Sequence, residues 1–270
     1  MGIVASGDGS LYYEVHGSGQ PVVLLRGLGR TVKHWLGYEH QLAKNARVIT
    51  IELRGMGLSD QRYRWRDDLF ANADDVIKVL DHLRIEKAHI AGISLGGMVT
   101  LATGLKFADR VQSMVVMNTS IAGQGTLRLS PKGVMVLSQI MRFRDERFHA
   151  ALVDVLVSPS CDPEHKSELA KAYAQIAEMH GFGAVTVIKQ LLGAGRFLVK
   201  KRLKNLAIPT LVVYGSDDQF VPNINSKKLA KLLPTAEVFE IAGAGHEITA
   251  DKPDELTAAI TGWVGKNSIT

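Results

Sequence analysis

Short runs of apolar and β-branched residues recur along the chain and predict β-strands. Glycine, proline and polar clusters bound these runs. Several runs are apolar at every position, as strands buried on both faces of a parallel sheet tend to be. The predicted strands occupy residues 11–16, 21–26, 47–53, 88–94, 111–119, 210–215 and 236–243.

Patterns with apolar residues three and four positions apart lie between these runs and predict helices at residues 69–83, 96–107, 224–233 and 253–264. Because strands and helices alternate, we expect an α/β fold with a mostly parallel central sheet flanked by helices. The first two strands differ from the others, since GDGS and GSGQ flank the first of them. We expect these two strands to pair as a hairpin.

One long segment, residues 121–203, interrupts the alternation. It contains helical patterns such as VMVLSQIMRFRDERFHAALVDVL and SELAKAYAQIAEMH, separated by SPS, DPE and GFGA. A connection of roughly eighty residues between two strands is far longer than usual. The sequence therefore predicts a helical cap at 121–203, inserted into a core domain formed by 1–120 and 204–270.

Composition narrows the possible classes of protein. The chain has 270 residues, 46% of them apolar, which suffices for a buried core. We find no apolar run long enough to span a membrane and no secretory signal, so we expect a cytoplasmic protein. The net charge is +5, but acidic residues interrupt or flank the basic clusters and no nucleic-acid motif accompanies them. The single cysteine, Cys161, cannot form an internal disulfide.

A serine at position 94 has the sequence context of a nucleophile. It lies in GISLGG, between a predicted strand and a predicted helix. This is G-x-S-x-G, in which small neighbours let the chain turn sharply and hold the serine at the end of the sheet. A helix N-cap is the other common role of such a serine. The flanking glycines and the buried strand favour Ser94 as a nucleophile.

A serine nucleophile needs a base with a pKa near the working pH, and imidazole meets that need. Of the nine histidines, His246 lies in a glycine-rich loop, GAGHE, directly after a predicted strand. We expect this loop at the carboxyl edge of the sheet, where it can meet Ser94. The base in turn needs an orienting carboxylate, and SDDQFVP offers Asp217 and Asp218.

Five segments, in this order, resemble the α/β-hydrolase superfamily, in particular its serine-nucleophile esterase and lipase-like branch with a helical cap. LLRGLG is similar to the oxyanion segment, ELRGMGLSD to the D-x-R-G-x-G-x-S-D loop and GISLGGM to the nucleophile elbow. YGSDDQFVP is similar to the G-x-x-D-x-x-x-P acid loop, and GAGHEITADKPDEL to the histidine loop. The resemblance implies a catalytic triad of Ser94, Asp218 and His246, with Asp217 as a turn residue.

The resemblance also implies an oxyanion hole formed by the backbone N–H groups of Leu28 and Leu95. It argues against reading LLRGLGR as a phosphate loop. A dinucleotide-binding loop would place a third glycine at position 32, where the chain has Val32, and the Walker G-K-[ST] is missing.

The implied reaction is hydrolysis of a small to medium carboxylic ester through an acyl-enzyme, with no metal and no organic cofactor. Three alternatives stay open: thioester hydrolysis, carbon–carbon bond hydrolysis by the same residues, and a non-catalytic ligand receptor or interaction protein. An apolar cap would form the wall of the acyl pocket. Arg142, Arg144 and Lys200 are candidate contacts for an anionic substrate, although long cationic side chains usually extend into solvent.

Two residues depart from the family pattern. Arg26 replaces the usual histidine before the first glycine of the oxyanion segment, and Glu52 replaces the usual aspartate at the start of its loop. Their strands are neighbours in the family, so one hypothesis is that Arg26 and Glu52 form a buried pair. The rival hypothesis is that Arg26 points into the site and contacts the substrate.

Overall fold

The computed structural model describes residues 1–124, 129–142, 145–180 and 183–268. Its strands are β1 (Gly2–Ser6), β2 (Gly9–His16), β3 (Pro21–Leu25), β4 (Arg47–Ile51), β5 (Ala88–Ile93), β6 (Val111–Met117), β7 (Thr210–Gly215) and β8 (Ala236–Ile241). They form one sheet in the order β1-β2-β4-β3-β5-β6-β7-β8. β3 to β8 are parallel, and β2 runs antiparallel to both β1 and β4. The expected α/β class with a mostly parallel sheet is confirmed.

The predicted hairpin is wrong in its partner. β2 forms a hairpin with the preceding strand β1, which we did not predict, and its other neighbour is β4. The reason lies in β3, whose residues 22–25 are fully buried on both faces. Such a strand needs a central position between parallel neighbours, and it lies between β4 and β5. β1 escaped prediction because it is a half-exposed outer strand with few large apolar residues.

The helices of the core are α1 (Tyr38–Leu42), α2 (Leu69–His82), α3 (Leu95–Lys106), α9 (Ile224–Ala230), α10 (Ile248–Asp251) and α11 (Pro253–Lys266). Successive side chains of a strand point to opposite faces of the sheet, and β3 shows how this divides the core. Val22 and Leu24 pack in a cluster that contains Trp263 of α11. Val23 and Leu25 pack on the other face, in a cluster that contains residues of α2 and α3.

Between β6 and β7 the described residues form helices and no strand: α4 (Pro131–Leu137), α5 (Glu146–Leu156), α6 (Pro163–Met179), α7 (Ala184–Gly195) and α8 (Lys200–Leu203). We call residues 121–203 the cap. Its buried residues, such as Phe148 and Val187, belong to the same apolar cluster as α2 and α3. Among the described helices, none is long and apolar enough to cross a membrane.

Candidate active site

Ser94 lies at a sharp turn between β5 and α3, where φ is 57° and ψ is −118°. This positive φ is unfavourable for a residue with a side chain, so the surrounding packing must hold it. A Cβ at Gly92 would lie 2.2 Å from the carbonyl oxygen of Gly96, and a Cβ at Gly96 would lie 2.2 Å from that of Leu25. The Ser94 hydroxyl makes no capping hydrogen bond to α3. The two glycines thus permit a turn in which the hydroxyl is not used as a helix cap.

His246 and Asp218 lie together on neighbouring loops. Nδ1 of His246 is 2.8 Å from Oδ2 of Asp218, and their side chains are 4% and 1% exposed. The other carboxylate oxygen of Asp218 accepts hydrogen bonds from the backbone N–H groups of Phe220 and Val221, both at 2.8 Å. Three contacts therefore fix the orientation of this carboxylate toward the imidazole.

Asp217, the neighbouring candidate acid, faces other partners. Its two carboxylate oxygens accept hydrogen bonds from the hydroxyl groups of Ser158 and Ser216, at 3.1 and 2.8 Å. The first of these hydroxyls belongs to the cap. Asp217 thus lies at the contact between the acid loop and the cap, whereas Asp218 is the carboxylate that reaches His246.

Two cavities meet at Ser94. The first, of about 50 Å³, is lined by Ser94 and His246 together with Gly27, Leu28 and apolar cap residues. The second, of about 140 Å³, is lined by Ser94, Leu28 and Leu95 and by further apolar side chains. The first cavity is called the histidine-side cavity below, and the second the apolar cavity. Both predicted oxyanion residues thus line a cavity that also contains Ser94.

The oxyanion loop approaches the serine closely. A Cβ added at Gly27 would lie 3.2 Å from Cβ and 3.7 Å from Oγ of Ser94. Only a residue without a side chain leaves this space open beside the hydroxyl. One residue beyond Leu28, the N–H of Gly29 donates to Oε1 of Gln190, at 3.1 Å. Gln190 lies in α7, so the cap holds the oxyanion loop by a hydrogen bond that the sequence patterns did not predict.

Two further residues that we did not predict hold the histidine loop. The side-chain amide of Asn118, at the end of β6, donates to the carbonyl oxygens of Gly245 and His246 and accepts from the N–H of Gly215. Asp251 accepts from the N–H groups of Gly245 and of Ser158 in the cap, at 2.7 and 2.9 Å. Asn118 could have been suspected from its polar amide directly after a buried strand. Asp251 gave no such signal.

Arg26 does not pair with Glu52, so the first hypothesis is wrong. One terminal nitrogen of Arg26, Nη2, donates to both carboxylate oxygens of Glu247, each at 2.9 Å, and both side chains are buried. Glu247 directly follows His246 and provides an acidic partner that the sequence patterns did not indicate. The guanidinium also lies 4.7 Å from the ring centroid of Trp35. Arg26 therefore holds the histidine loop through Glu247 and lines neither cavity at Ser94.

Glu52 has a different role. Its carboxylate accepts from the backbone N–H groups of Leu58 and Val32. A Cβ at Gly57 would collide with both of its oxygens. Burial raises the pKa of Glu52 to about 7, against the opposing effect of these hydrogen bonds. The side chain thus closes the 53–58 turn rather than neutralising Arg26.

The polar wall of the histidine-side cavity contains Arg30, His34 and Glu247. Burial and the neighbouring arginine charges hold the pKa of His34 well below its ordinary value, so this ring is neutral near pH 7. Its Nδ1 accepts from the N–H of Thr31 at 3.0 Å. Burial alone would raise the pKa of Glu247, but the charges of Arg26 and Arg30 hold it below the ordinary value. The wall therefore contains the carboxylate of Glu247 and the guanidinium group of Arg30, and the guanidinium group of Arg26 lies behind it, bound to Glu247.

A cluster of side chains of the types that bind metal ions lies away from Ser94. In the parts of the chain that the structure describes, His16, Glu39 and His40 bring possible ligand atoms within 4.8 Å of one another. None of the three lines the cavities at Ser94. This cluster therefore lies apart from the cavities at Ser94.

Comparison with known sequences decides the family. The sequence profile of the α/β-hydrolase fold matches residues 20–253, most of the chain. The chain belongs to the α/β-hydrolase family. This confirms the resemblance drawn from the five sequence segments.

The names of proteins similar to this hydrolase describe several kinds of substrate. It is 29% identical over 263 residues to RutD of Azorhizobium caulinodans, whose name describes a carbamate hydrolase, with 96% of this chain and 97% of RutD covered. Est816, described as an N-acyl homoserine lactone degrading enzyme, superposes with a TM-score of 0.81 at 26% identity, covering 97% and 99% of the two chains. A thermophilic esterase from Thermogutta terrifontis gives 0.77 at 26% identity, covering 96% and 95%. Hydrolysis on this fold is thus supported.

Proposed function

We propose that this hydrolase cleaves a small to medium carboxylic ester through an acyl-enzyme. Ser94 would be the nucleophile, His246 the base and Asp218 the acid that orients it. The observation that carries the proposal is a single arrangement. The imidazole held by Asp218 lines the same cavity as a serine on a strained turn that is not used as a helix cap.

The first half of the reaction depends on which imidazole nitrogen of His246 can take the proton of Ser94. Nδ1 of His246 is bound to Asp218, so Nε2 takes the proton of the Ser94 hydroxyl. Oγ forms a bond to the carbonyl carbon, and the carbonyl electron pair moves to the oxygen. The backbone N–H groups of Leu28 and Leu95 would donate to this oxyanion, a contribution that typically amounts to about 3 to 4 kcal/mol for one donor.

The second half regenerates the serine. As the tetrahedral intermediate collapses, the bond to the leaving oxygen breaks and His246 gives its proton to that oxygen, which releases the alcohol. Water then attacks the acyl carbon, with His246 taking one of its protons and the carbonyl electron pair moving to the oxygen. As this second tetrahedral intermediate collapses, the bond between the acyl carbon and Oγ of Ser94 breaks, His246 returns its proton to Oγ, and the carboxylic acid leaves. No cofactor enters this sequence of steps.

The cavities indicate where the two parts of the ester lie. The leaving oxygen must receive a proton from His246, and His246 lines only one of the two cavities. We therefore assign the leaving group to the histidine-side cavity and the acyl chain to the apolar cavity. Met98, Leu129 and Leu191 line the latter, which suits an unbranched acyl chain of modest length.

The proposal is tested by kinetics and by covalent labelling. Ser94→Ala should lower kcat/KM for 4-nitrophenyl acetate and butyrate by at least about a thousandfold, since removing a triad nucleophile has an effect of this order or larger. A fluorophosphonate should modify the wild type at Ser94 and leave the variant unmodified. The matched control is Ser167→Ala, at an exposed serine of α6, which should keep the wild-type rate. An unchanged rate in Ser94→Ala would refute the proposal.

Carbamate cleavage is the second candidate, because RutD covers nearly the whole chain. A carbamate has the same carbonyl centre but forms a carbamoyl-enzyme. A panel containing matched nitrophenyl carbamates, an acyl thioester and a dienone acid separates the ester hypothesis from the carbamate, thioester and carbon–carbon alternatives. The ester proposal expects the highest kcat/KM on the ester, and a preference for any other class would replace it.

A further inference from the structure

Arg30 is a buried cation with one side-chain nitrogen that finds no acceptor among the described residues. Its side chain is 7% exposed and lines the histidine-side cavity. Among the described residues, its Nη2 has no hydrogen-bond partner. The guanidinium carbon lies 4.1 Å from the ring centroid of Tyr173, in α6 of the cap. Cap stacking therefore fixes the orientation of a buried guanidinium without supplying an acceptor.

The neighbouring carboxylate does not fill this need. Both oxygens of Glu247 accept from Arg26 at 2.9 Å, whereas Nε of Arg30 is 3.9 Å from the nearer oxygen, beyond hydrogen-bond distance. Arg26, Arg30 and Glu247 together carry a net charge of +1. The other nearby carboxylate, Asp218, is bound to His246 and to two backbone N–H groups.

Unpaired donors cluster on this side of the site. Besides Arg30, buried donors without a partner within the described part of the chain occur on Arg26, at Nε and Nη1, and on Gln190, at its side-chain nitrogen. The oxygen of Gln190 holds Gly29 of the oxyanion loop. Leaving a charged donor buried without an acceptor is costly. Of the two arginines, Arg30 alone lines a cavity at Ser94, where a ligand would provide the acceptor.

We propose that Arg30 binds a carboxylate on the leaving group of the substrate. The inference rests on the proposed function, because the leaving group is assigned to this cavity through His246. A guanidinium donates to a carboxylate through parallel N–H groups, and burial strengthens this contact. The substrate class is then an ester of a hydroxy acid, which yields a carboxylic acid and a hydroxy acid as products.

This assignment replaces an earlier expectation. Of the three cations considered for an anionic substrate, Arg142 and Lys200 are exposed and line neither cavity, and Arg144 lies outside the described residues. Arg26 is bound to Glu247 and lines neither cavity. Arg30 combines burial, an unfilled donor and a place in the cavity wall.

The experiment compares two esters that differ only in charge on the leaving group, O-acetylglycolate and its neutral amide O-acetylglycolamide. Arg30→Gln should lower kcat/KM for the carboxylate by about 10- to 100-fold and for the amide by less than about threefold, the range expected for losing a charged hydrogen bond. Arg30→Lys should recover part of the loss. Equal losses on both esters would show a structural role and overturn the inference.

A matched control removes another stacked arginine. Arg202 lies over the ring of Phe70 at 4.8 Å and is exposed, so Arg202→Gln should leave the preference between the two esters unchanged. Monomethyl succinate carries its charge on the acyl side instead, and methyl butyrate is its neutral counterpart. A loss confined to monomethyl succinate in Arg30→Gln would overturn the leaving-group assignment.

Two measurements on the intact protein make the outcome decisive. If Arg30→Gln fails to fold, glycolate should still bind the wild type at least about tenfold more tightly than glycolamide, and equal binding would overturn the inference. If the amide ester is hydrolysed through Ser94 without any preference for charge, the inference fails and the proposed function stands. If neither ester is cleaved but glycolate binding depends on Arg30, the proposed function fails and the anion site stands.

Discussion

Arg26 and Glu247 are 221 positions apart in the chain, yet they form a buried ion pair directly beneath the histidine loop. Burying two charged side chains costs less free energy when the two form an ion pair with each other. The pair therefore couples the strand that leads into the oxyanion loop to the residue next to His246. At this scale, one contact positions two parts of the site.

Removing one member of this pair should be more harmful than removing both. Arg26→Met leaves the carboxylate of Glu247 buried with only the more distant Arg30, and we expect the free energy of unfolding to fall by about 3 kcal/mol. The double variant Arg26→Met with Glu247→Gln should recover part of this loss. Urea denaturation of wild type, both single variants and the double variant measures the coupling. Additive losses would contradict the buried-pair interpretation.

Residue types alone indicated Ser94, His246 and a carboxylate in the 217–218 loop, because each requires a specific chemistry at the end of a strand. The structure brings Asp218 to His246 as the family pattern implied. The partner of Arg26 could not be found in this way. A guanidinium can donate to any buried carboxylate that lies close enough. Whether a carboxylate 221 positions away lies close enough depends on how the loops pack.

The elbow element, β5 followed by Ser94 and α3, is held by backbone atoms in close contact. Gly92 faces the carbonyl group of Gly96 across the turn. Neither the carbonyl group of Gly96 nor α3 can move without displacing Ser94. The element thus owes its shape to missing side chains rather than to attractive contacts.

A methyl group added at this turn should therefore be severely destabilising. Gly92→Ala would place its Cβ 2.2 Å from the oxygen of Gly96, and we expect a loss of at least about 3 kcal/mol, at the upper end of overpacking costs. The matched control is Gly262→Ala in α11, an exposed position where an added Cβ meets no atom within 4 Å. It should be neutral or stabilising by up to about 1 kcal/mol. Thermal denaturation compares the two, and an equally stable Gly92→Ala would contradict the packing argument.

The elements themselves were largely predictable, since the apolar periods of β2 to β8 and of α2, α3, α9 and α11 are strong. Strand pairing was less so. The glycines around β2 are compatible with a hairpin to β1 or to β3. Because β3 is buried on both faces and takes a central position, β2 pairs with β1 and β4 instead.

For the whole molecule, burial of ionisable groups makes stability depend on pH. His89, in β5, is 1% exposed, and its Nδ1 lies 2.8 Å from the hydroxyl of Ser113. Burial lowers the pKa of His89 from 6.5 to about 4. Between these values the unfolded chain takes up a proton that the folded protein does not, so the stability from this residue is complete above pH 6.5 and is lost as the pH falls toward 4.

Replacing this histidine should flatten the acid limb of the stability curve. Between pH 7 and pH 5 we expect His89→Gln to lose about 2 kcal/mol less than wild type, since glutamine keeps a polar group near Ser113 but does not titrate. His82→Gln, at an exposed histidine of α2, should retain the wild-type pH dependence. Urea denaturation at several pH values provides the measurement. An unchanged slope in His89→Gln would contradict a neutral buried imidazole.

The sequence by itself determined the fold class, the family and the residue types at the candidate site, because period, turn chemistry and motif order are local properties. Tertiary structure alone decided which charges meet. It placed Glu247 on Arg26, left Arg30 with an unfilled donor in the cavity wall and joined Gln190 of the cap to the oxyanion loop. These outcomes depend on distances between segments far apart in the chain, and electrostatic and hydrogen-bond energies change steeply over such distances.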